Sequence, residues 1–260
     1  MSDVEKELKG RVALVTGGSR GIGRAIALAL AKGGADIAIA YRRDREAADE
    51  TLGLLSELGV RGKAYAASME DREQCRALVA GAVAEFGGID ILVNNAGIAS
   101  RGKSVLDTDP DELQRVLTVH ALAPHLLCQA VLPSMRTRGR GDIVMISSVA
   151  TLGYAANGAP YSMGKAAMEA LAYTLAKEER KHGIHVNVVA PGLVDTDMGR
   201  RLATATVGVK DIHELDARMP FGRVCQPEDI AEAVRFLVSP RASYITGEKL
   251  NVHGGGQSWR

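Results

Sequence analysis

The stretch Val12-Ala13-Leu14-Val15-Thr16-Gly17-Gly18-Ser19-Arg20-Gly21-Ile22-Gly23 decides the fold of this chain of 260 residues. Its first four residues form an apolar run of the kind that buried strands use, and a glycine cluster follows. Ile, Ala and Leu then recur at helical spacing up to Lys32. The pattern predicts a strand, a loop and a helix. Glycines also serve tight turns, but their place between this strand and this helix favours a loop whose backbone N–H groups can approach a pyrophosphate at the positive end of the helix.

The alternation of strand and helix continues along the chain. Six further strands are predicted, at Asp36 to Tyr41, Lys63 to Ala67, Ile89 to Val93, Ile143 to Ile146, Val186 to Val189 and Lys249 to Val252. Helical spacing separates them, for example at Glu46 to Leu58 and in a long helix from Asp111 to Arg138. This order predicts an α/β fold, a Rossmann-like doubly wound parallel sheet of about seven strands with helices on both faces. Residues 1–260 are expected to form a single domain that binds its ligands at the carboxyl ends of the strands.

Composition excludes several classes of protein. Apolar residues make up 46% and charged residues 24% of the chain, and the formal net charge of +1 argues against nucleic acid or an anionic membrane as a partner. The charged segment Met1 to Arg11 is not typical of a secretory signal, and no apolar run is expected to reach the ~20 residues that span a bilayer. A cytoplasmic protein is predicted. Cys75, Cys128 and Cys225 suit neither a disulfide framework nor a zinc site, and no metal is expected.

The end of the second strand predicts the cofactor. Enzymes of this architecture that use NAD carry an acidic residue there, which binds the ribose 2′-hydroxyl. This chain has Tyr41-Arg42-Arg43 instead, and Arg42 together with Arg20 of the glycine loop can bind a 2′-phosphate through charge-assisted hydrogen bonds. NADP(H) is therefore predicted, with NAD(H) possible. The alternative is that Arg42, Arg43 and Arg45 only solvate the start of a helix.

A tyrosine and a lysine predict the chemistry. Tyr161 and Lys165 are four residues apart, so on a helix they share one face, and the ammonium group can lower the tyrosine pKa from its usual value of about 10. Ser148 follows the apolar strand ending at Ile146 and can hydrogen-bond the same phenol. Taken alone, this Tyr and Lys spacing is also common on helix surfaces as packing plus a solvated charge.

The combination of motifs resembles the short-chain dehydrogenase/reductase family. Thr16 to Gly23, Asn94-Asn95-Ala96-Gly97, Ser148, Tyr161 with Lys165, and Pro191-Gly192 follow in the order and spacing of that family, from about Leu8 to Gly256. The chain looks most similar to its 3-oxoacyl-(acyl carrier protein) reductase branch. The resemblance assigns these residues to the cofactor: Gly17, Ser19, Arg20, Gly21, Ile22, Gly23, Arg42, Ser68, Met69, Asn95, Ala96, Gly97, Tyr161, Lys165, Pro191, Gly192, Val194 and Thr196.

Within that assignment, some positions depart from the family pattern or carry a special expectation. Relatives often have an Asp that holds the adenine amino group where this chain has Ser68-Met69. The loop after Pro191 is expected to hold the nicotinamide amide through the backbone of Val194 and the hydroxyl of Thr196. Asp197 to Phe221 show no strand signal, which suggests the mobile substrate lid of the family, expected at about residues 192–222.

The resemblance implies an NADPH-dependent oxidoreductase that interconverts a ketone, of the 3-oxoacyl type or another, and a secondary alcohol. Tyr161 would exchange the proton, Ser148 would polarise the carbonyl group, and Lys165 would lower the tyrosine pKa and bind the nicotinamide ribose. Two alternatives stay open. One is a catabolic dehydrogenase of a cyclic or small hydroxy substrate, and the other is a non-catalytic NADP-binding regulator, against which the intact residues argue.

His120 stands where most relatives carry an Asn that helps to relay protons from Lys165. Pro124, four residues on, has no N–H, so the carbonyl group of residue 120 loses its helical partner and can hold a water molecule. We therefore expect the backbone at position 120 to serve the relay. The imidazole is expected to add a second partner that responds to pH.

Partners and assembly are also predicted from the resemblance. An acyl carrier protein is acidic, and a basic surface for it could be formed by Arg136, Arg138, Arg140, Arg180, Lys181 and His182. Cations are favoured at helix ends in any case, so ordinary solvated helix ends are the alternative. A homotetramer is expected, because the helices from Asp111 and Pro160 carry more apolar residues than one buried stripe needs.

Overall fold

The computed structural model describes residues 6–256, and the expected domain limits extend beyond them to 1–5 and 257–260, which lie outside the described residues. Its centre is a seven-stranded sheet in which all neighbours pair in parallel. The strands are β1 (Val12–Thr16), β2 (Asp36–Tyr41), β3 (Gly62–Ala66), β4 (Ile91–Asn94), β5 (Gly141–Ile146), β6 (Ile184–Pro191) and β7 (Lys249–Val252). Their order is β3-β2-β1-β4-β5-β6-β7, which confirms the predicted doubly wound sheet.

Helices cover both faces of the sheet. They are α1 (Gly21–Lys32), α2 (Arg45–Glu57), α3 (Arg72–Phe86), α4 (Pro110–Leu117), α5 (Ala123–Met135), α6 (Ala150–Gly153), α7 (Ala159–Glu179), α8 (Asp197–Val207) and α9 (Pro227–Val238). Apolar residues of α1, α2 and α9 pack on one face, and those of α3, α5 and α7 pack on the other.

Strand β1 shows why the sequence forms this core. Its side chains alternate between the two faces, so Val12 and Leu14 join one apolar cluster while Ala13 and Val15 join the other. A strand buried on both faces needs a continuous apolar run, which is what the sequence provides. Because β1 lies between β2 and β4, the strand order reverses there, and the loops after β1 and β4 form the crevice in which such folds bind ligands.

The long helix predicted from Asp111 to Arg138 is interrupted. A π-helical turn, Thr118–Leu122, separates α4 from α5, and the N–H of Ala123 bonds the carbonyl of Thr118. Pro124 lies just after this turn and has no N–H for a regular α-helical bond, which is a physical reason for the break.

The same region corrects the expectation about apolar runs. Among the described residues, the helical run Pro110–Met135 is long and apolar enough to cross a membrane by length and composition alone. In this fold, however, Val119, Leu127 and Val131 of the run are buried in the cluster between the sheet and α7. The run is therefore a core helix of the α/β layer.

The predicted lid region has helical structure of its own. It contains α8 and two 3₁₀ turns, Ile212–Arg218 and Pro220–Gly222. Ala203, Ile212 and Leu215 form a small apolar cluster there that is separate from the two main ones. The short helix α6, which follows Ser148, has no counterpart in the sequence prediction.

Candidate active site

Ser148, Tyr161 and Lys165 meet at the carboxyl end of β5. Ser148 follows the strand, and Tyr161 and Lys165 lie in the first two turns of α7, whose second residue is a proline that suits a helix start. The Ser148 hydroxyl lies close enough to the Tyr161 phenol to lower its pKa. The Nζ atom of Lys165 lies 5.7 Å from the centre of the Tyr161 ring. The three side chains predicted from sequence are therefore neighbours.

Lys165 is a buried cation. Only 3% of the residue is exposed, and its Nζ donates a hydrogen bond to the carbonyl oxygen of Ile146 at 2.7 Å. Burial lowers the pKa of Lys165 to about 7, and the negative charge of Glu169 opposes this shift. Near neutral pH the lysine is therefore poised between its charged and neutral forms.

The pKa of Tyr161 departs from the sequence prediction. Burial raises the pKa of the phenol above its usual value, and the hydrogen bond with Ser148 opposes that rise. The expected net lowering of the tyrosine pKa is wrong for this arrangement, because the effect of burial is the larger one, although Lys165 Nζ lies over the ring. Tyr161 therefore keeps its proton near neutral pH, which suits a proton donor.

His120 packs against Tyr161 from the π-helical turn. The two rings meet edge to face with their centres 5.3 Å apart. The imidazole is fully buried, and it fits because Gly97 and Gly164 have no side chains, since a Cβ atom on either would lie within 3 Å of it. Burial, followed by the charge of Lys165, lowers the pKa of His120 to about 3. The expected response of this imidazole to pH is therefore wrong.

The hydrogen bonds of His120 indicate its tautomer. Nε2 lies 2.8 Å from the carbonyl oxygen of Ile98 and 3.2 Å from the backbone nitrogen of the same residue. The shorter contact favours a proton on Nε2 that is donated to the carbonyl group. Nδ1 is then a bare acceptor, and among the described residues no protein group bonds it.

The glycine loop after β1 has the shape that a pyrophosphate needs. A Cβ atom on Gly23 would lie 2.1 Å from the carbonyl oxygen of Gly17, so that position admits only glycine. Gly17 and Gly21 have φ angles of +65° and +53°, which glycine adopts without strain. Helix α1 begins without a side-chain cap and without an acidic residue in its first turn. Its N–H groups therefore suit an anion, and the loop fits the predicted dinucleotide.

Asn95 and Thr16 hold this loop in place. The amide of Asn95 donates to the carbonyl oxygens of Thr16 at 2.8 Å and Gly17 at 3.3 Å. Thr16 Oγ1 in turn accepts from the backbone N–H groups of Asn95 and Ala96, at 3.0 and 2.9 Å. The Asn95 side chain is thus used within the protein, and it fixes the crevice between β1 and β4.

A pocket beyond β2 gathers three arginines around one carboxylate. It is lined by Arg42, Arg43, Ser68, Glu70 and Arg115. Glu70 Oε1 accepts hydrogen bonds from Arg42 and from Arg115, each at 3.0 Å. The pocket carries an excess of positive charge, which fits a phosphate monoester.

Other predicted cofactor residues near this pocket have different partners. Arg20 does not join Arg42, because it pairs with Asp197 at the start of α8, 3.3 Å away. The Ser68 hydroxyl accepts from the N–H of Glu70 at 3.3 Å, and the Met69 side chain is buried in the core. The carbonyl oxygen of Ser19 accepts bonds from Arg24 and Thr51.

The loop after β6 reaches across to the glycine loop. The Thr196 side chain lies 3.4 Å from the place of a Cβ atom on Gly21. The Thr196 hydroxyl caps α8 by accepting from the N–H of Gly199 at 3.0 Å, so it has a structural bond besides its predicted role. Val194 is buried and pairs with Cys225. Two predicted cofactor residues remain: Pro191 ends β6, and Gly192 bonds the carbonyl oxygen of Val252.

Known proteins resemble this chain over nearly its whole length. The sequence model of a protein family described as Enoyl-(Acyl carrier protein) reductase matches residues 17–257. A 3alpha-hydroxysteroid dehydrogenase of Mediterraneibacter gnavus is 39% identical over 253 residues, which cover 96% of this chain and 98% of the relative. The 3-oxoacyl-[acyl-carrier-protein] reductase FabG of Vibrio cholerae is 39% identical over 253 residues, covering 95% of this chain and 98% of the relative.

A solved structure resembles the chain equally well. It is a short chain dehydrogenase from Burkholderia cenocepacia J2315 in complex with NADP, 38% identical, with a TM-score of 0.86 and coverage of 96% of this chain and 98% of that one. The chain belongs to the short-chain dehydrogenase/reductase family. As a member of this family it is an oxidoreductase, which confirms the prediction made from its motifs.

In this short-chain dehydrogenase/reductase, three arginines of the predicted basic surface form ion pairs with carboxylates of the fold. Arg136 pairs with Glu179 and Arg138 with Asp90, at 2.5 and 2.7 Å. Arg140 pairs with Asp142 at 2.9 Å. The three carboxylates are almost fully buried, so these arginines neutralise charges inside the fold and are not simply solvated helix ends.

Sequence reasoning missed four residues around the site. Glu70 and Arg115 line the arginine pocket, and Glu169 and Lys249 form an ion pair behind Ser148. Arg115 and Lys249 come from elements far along the chain, so no local pattern could have joined them to the site. Glu169 did carry a signal, because it lies one helical turn beyond Lys165 on the same face.

Proposed function

We propose that this short-chain dehydrogenase/reductase is an NADPH-dependent reductase that converts a ketone to a secondary alcohol, and that it also runs in reverse. The observation that carries the proposal is the convergence of Ser148, Tyr161 and Lys165 beside a loop that fits a pyrophosphate. A non-catalytic NADP-binding protein would have no need for a phenol, a hydroxyl and a buried ammonium group brought together at the end of one strand.

In the proposed reaction the side chains of the protein supply the proton, and the cofactor supplies the hydride that goes to the carbonyl carbon. Ser148 donates a hydrogen bond that polarises the carbonyl oxygen, and Tyr161 gives its proton to that oxygen. Its raised pKa means that the phenol still holds this proton at neutral pH. The phenolate that remains is stabilised by the ammonium group of Lys165, and the formation of that anion in turn favours the charged lysine.

The preference for NADP(H) is supported by the arginine pocket. Arg42, Arg43 and Arg115 outnumber Glu70, the one carboxylate that lines the pocket with them, so a 2′-phosphate would be attracted there. The glycine loop would hold the pyrophosphate at the N-terminus of α1. Because Glu70 can also accept a hydrogen bond from a ribose hydroxyl, NAD(H) is expected as a weaker alternative cofactor.

Apolar side chains favour a substrate with a sizeable hydrophobic part. Leu152 and Tyr154, which follow Ser148, are exposed, as are Met198, Leu202 and Phe221 of the proposed lid, residues 192–222. Their position on the segments that flank the catalytic residues supports a role in binding an acyl chain or a ring system. The names of the relatives agree with either choice, since one acts on a 3-oxoacyl group and another on a steroid.

An NADPH oxidation assay tests the proposal. The panel comprises a 3-oxoacyl thioester, the same group on an acyl carrier protein, a cyclic ketone, a steroid ketone and an enoyl thioester. We expect turnover of at least one ketone, faster with NADPH than with NADH. Turnover of the enoyl thioester alone would contradict the proposed reaction, and tight NADPH binding without turnover of any substrate would favour the regulator.

A further inference from the structure

A buried carboxylate lies directly behind the proposed catalytic residues. Glu169 is 9% exposed and lies on α7 one turn beyond Lys165. Its carboxylate accepts a short hydrogen bond from the Ser147 hydroxyl. Thr151 Oγ1 is 2.8 Å from Glu169 Oε1, and Lys249 Nζ is 2.9 Å from Oε1 and 3.0 Å from Oε2. The proposed mechanism gives this carboxylate no part.

The partners of Glu169 bracket Ser148. Ser147 immediately precedes it, just after β5, and Thr151 lies three residues after it in α6. Thr151 Oγ1 also lies 2.9 Å from the carbonyl oxygen of Ser148. One carboxylate therefore fixes the backbone on both sides of the serine, and α7, which carries Tyr161, provides that carboxylate.

Lys249 makes this burial possible. An unpaired carboxylate in the interior would cost several kcal/mol. The ammonium group of Lys249 is supplied by β7, and besides Glu169 it bonds Thr151 Oγ1 at 2.6 Å. Only 13% of the Lys249 side chain is exposed. The cluster thus joins β5, α6, α7 and β7 around the loop of Ser148.

The charge of Glu169 also acts on Lys165. Burial lowers the pKa of Lys165, and Glu169 is the group that raises it again. Among the described residues, the titratable groups near the two include Tyr161, His120, Lys249 and Tyr173, and Glu248 lies near Tyr173. His120 stays neutral and Tyr161 holds its proton near neutral pH, and Glu169 is the charged neighbour that favours the protonated lysine.

We propose that Glu169 is a positioning residue of this site, which fixes the loop of Ser148 through Ser147 and Thr151 and keeps the ammonium form of Lys165. The role in catalysis rests on the proposed function. The simpler alternative is that Glu169 and Lys249 only stabilise the fold, as a buried ion pair between a helix and a strand.

Glu169→Gln separates the two roles, and Glu179→Gln is the matched control. Glu179 is a second buried glutamate of α7, paired with Arg136 away from the site. We expect Glu169→Gln to lower kcat/KM for the ketone at least about tenfold. The alkaline limb of its pH profile should move down by about one pH unit, because Lys165 loses its proton more easily without a neighbouring anion. Glu179→Gln should lower the melting temperature without moving the profile.

A measurement without substrate keeps this inference separate from the proposed function. NMR titration of isotope-labelled lysines gives the pKa of Lys165, with its signal assigned by Lys165→Met. We expect that pKa to fall in Glu169→Gln and in the charge-balanced variant Glu169→Gln/Lys249→Met, which avoids an unpaired buried lysine and so guards against loss of folding. An unchanged Lys165 pKa in the folded variants would overturn the inference, whereas inactivity of the wild type on every ketone would overturn only the proposed function.

Discussion

The ionisable residues of the site owe their properties to burial more than to their charged neighbours. The pKa of Lys165 is lowered to about 7 and that of His120 to about 3, and burial is the largest cause of both shifts. Burial also raises the pKa of Tyr161. A reductase benefits from this arrangement, because the proton donor is protonated at neutral pH and the imidazole beside it stays uncharged.

His120 should therefore be nearly replaceable by asparagine. We expect His120→Asn to be close to neutral and His120→Ala to lower kcat less than about tenfold, because the neutral ring mainly fills space and bonds Ile98. Between about pH 5 and 9 the profile of kcat should keep its shape, since a group with a pKa of about 3 does not titrate there. A changed profile, or a loss as large as that expected for Tyr161→Phe, would contradict this account.

Glu70 should weaken the preference for NADPH. Its carboxylate occupies Arg42 and Arg115, and it would repel a 2′-phosphate bound beside them. We expect Glu70→Gln to raise the ratio of affinities for NADPH over NADH about tenfold, and Arg42→Asp to lower it. Fluorescence titration of each cofactor measures both ratios. Glu73→Gln, which removes an exposed charge paired with Arg76, is the control, and an unchanged ratio in Glu70→Gln would contradict the assignment.

The sequence predicted which residues form the site better than it predicted their pKa values and their partners. The spacing of Tyr161 and Lys165 on a helix could be recognised locally, whereas the direction of the tyrosine pKa shift depends on what the tertiary structure packs around it. The same holds for Arg20, which was expected near a 2′-phosphate and pairs with Asp197 from a segment far along the chain.

At the scale of elements, the unit of β1, glycine loop and α1 is the best determined by its sequence. Its strand is apolar on both faces and its loop requires glycine for steric reasons. The interrupted helix was harder to predict, because the apolar spacing continues through Thr118–Leu122 and only Pro124 marks the break. Helix α6 is one turn long and has too few residues for a periodic pattern.

Gly23→Ala tests the role of the loop. The added methyl group would lie 2.1 Å from the Gly17 carbonyl oxygen, so the loop must move, and we expect NADPH affinity to fall at least about tenfold. Gly53→Ala is the control, because Gly53 lies inside α2 with open space around it and alanine there should stabilise the protein by about 0.5–1 kcal/mol. Unchanged NADPH affinity in a folded Gly23→Ala protein would exclude this loop as the pyrophosphate site.

At the scale of the whole molecule, the two faces of the sheet are covered, yet α7 also has an exposed stripe. Met163, Ala167, Ala170 and Thr174 follow one another at helical spacing and are all exposed. Three of them are apolar, which supports the expectation that α7 packs against a second copy of the chain. The doubly wound parallel sheet followed from the alternation of strands and helices, but the ion pairs of Arg136, Arg138 and Arg140 join separate elements and could not be predicted.

Ala170→Arg should disrupt the expected homotetramer. A charged side chain in the middle of a helix pair would be buried without a partner, so we expect light scattering to show a tetramer for the wild type and smaller species for the variant. Ser56→Arg, on the exposed face of α2, should leave the assembly intact. A wild type that is monomeric at micromolar concentration would contradict the expectation.

The reaction itself is tested most directly by Tyr161→Phe, measured on the ketone that the wild type turns over best. Phenylalanine keeps the ring that packs on His120 and removes only the hydroxyl group beside Ser148. We predict that kcat falls at least about 100-fold while the Kd for NADPH changes less than about threefold, because a proton donor is lost and the cofactor loop is untouched. Retention of most of the wild-type kcat would contradict the assignment of Tyr161 as the proton donor.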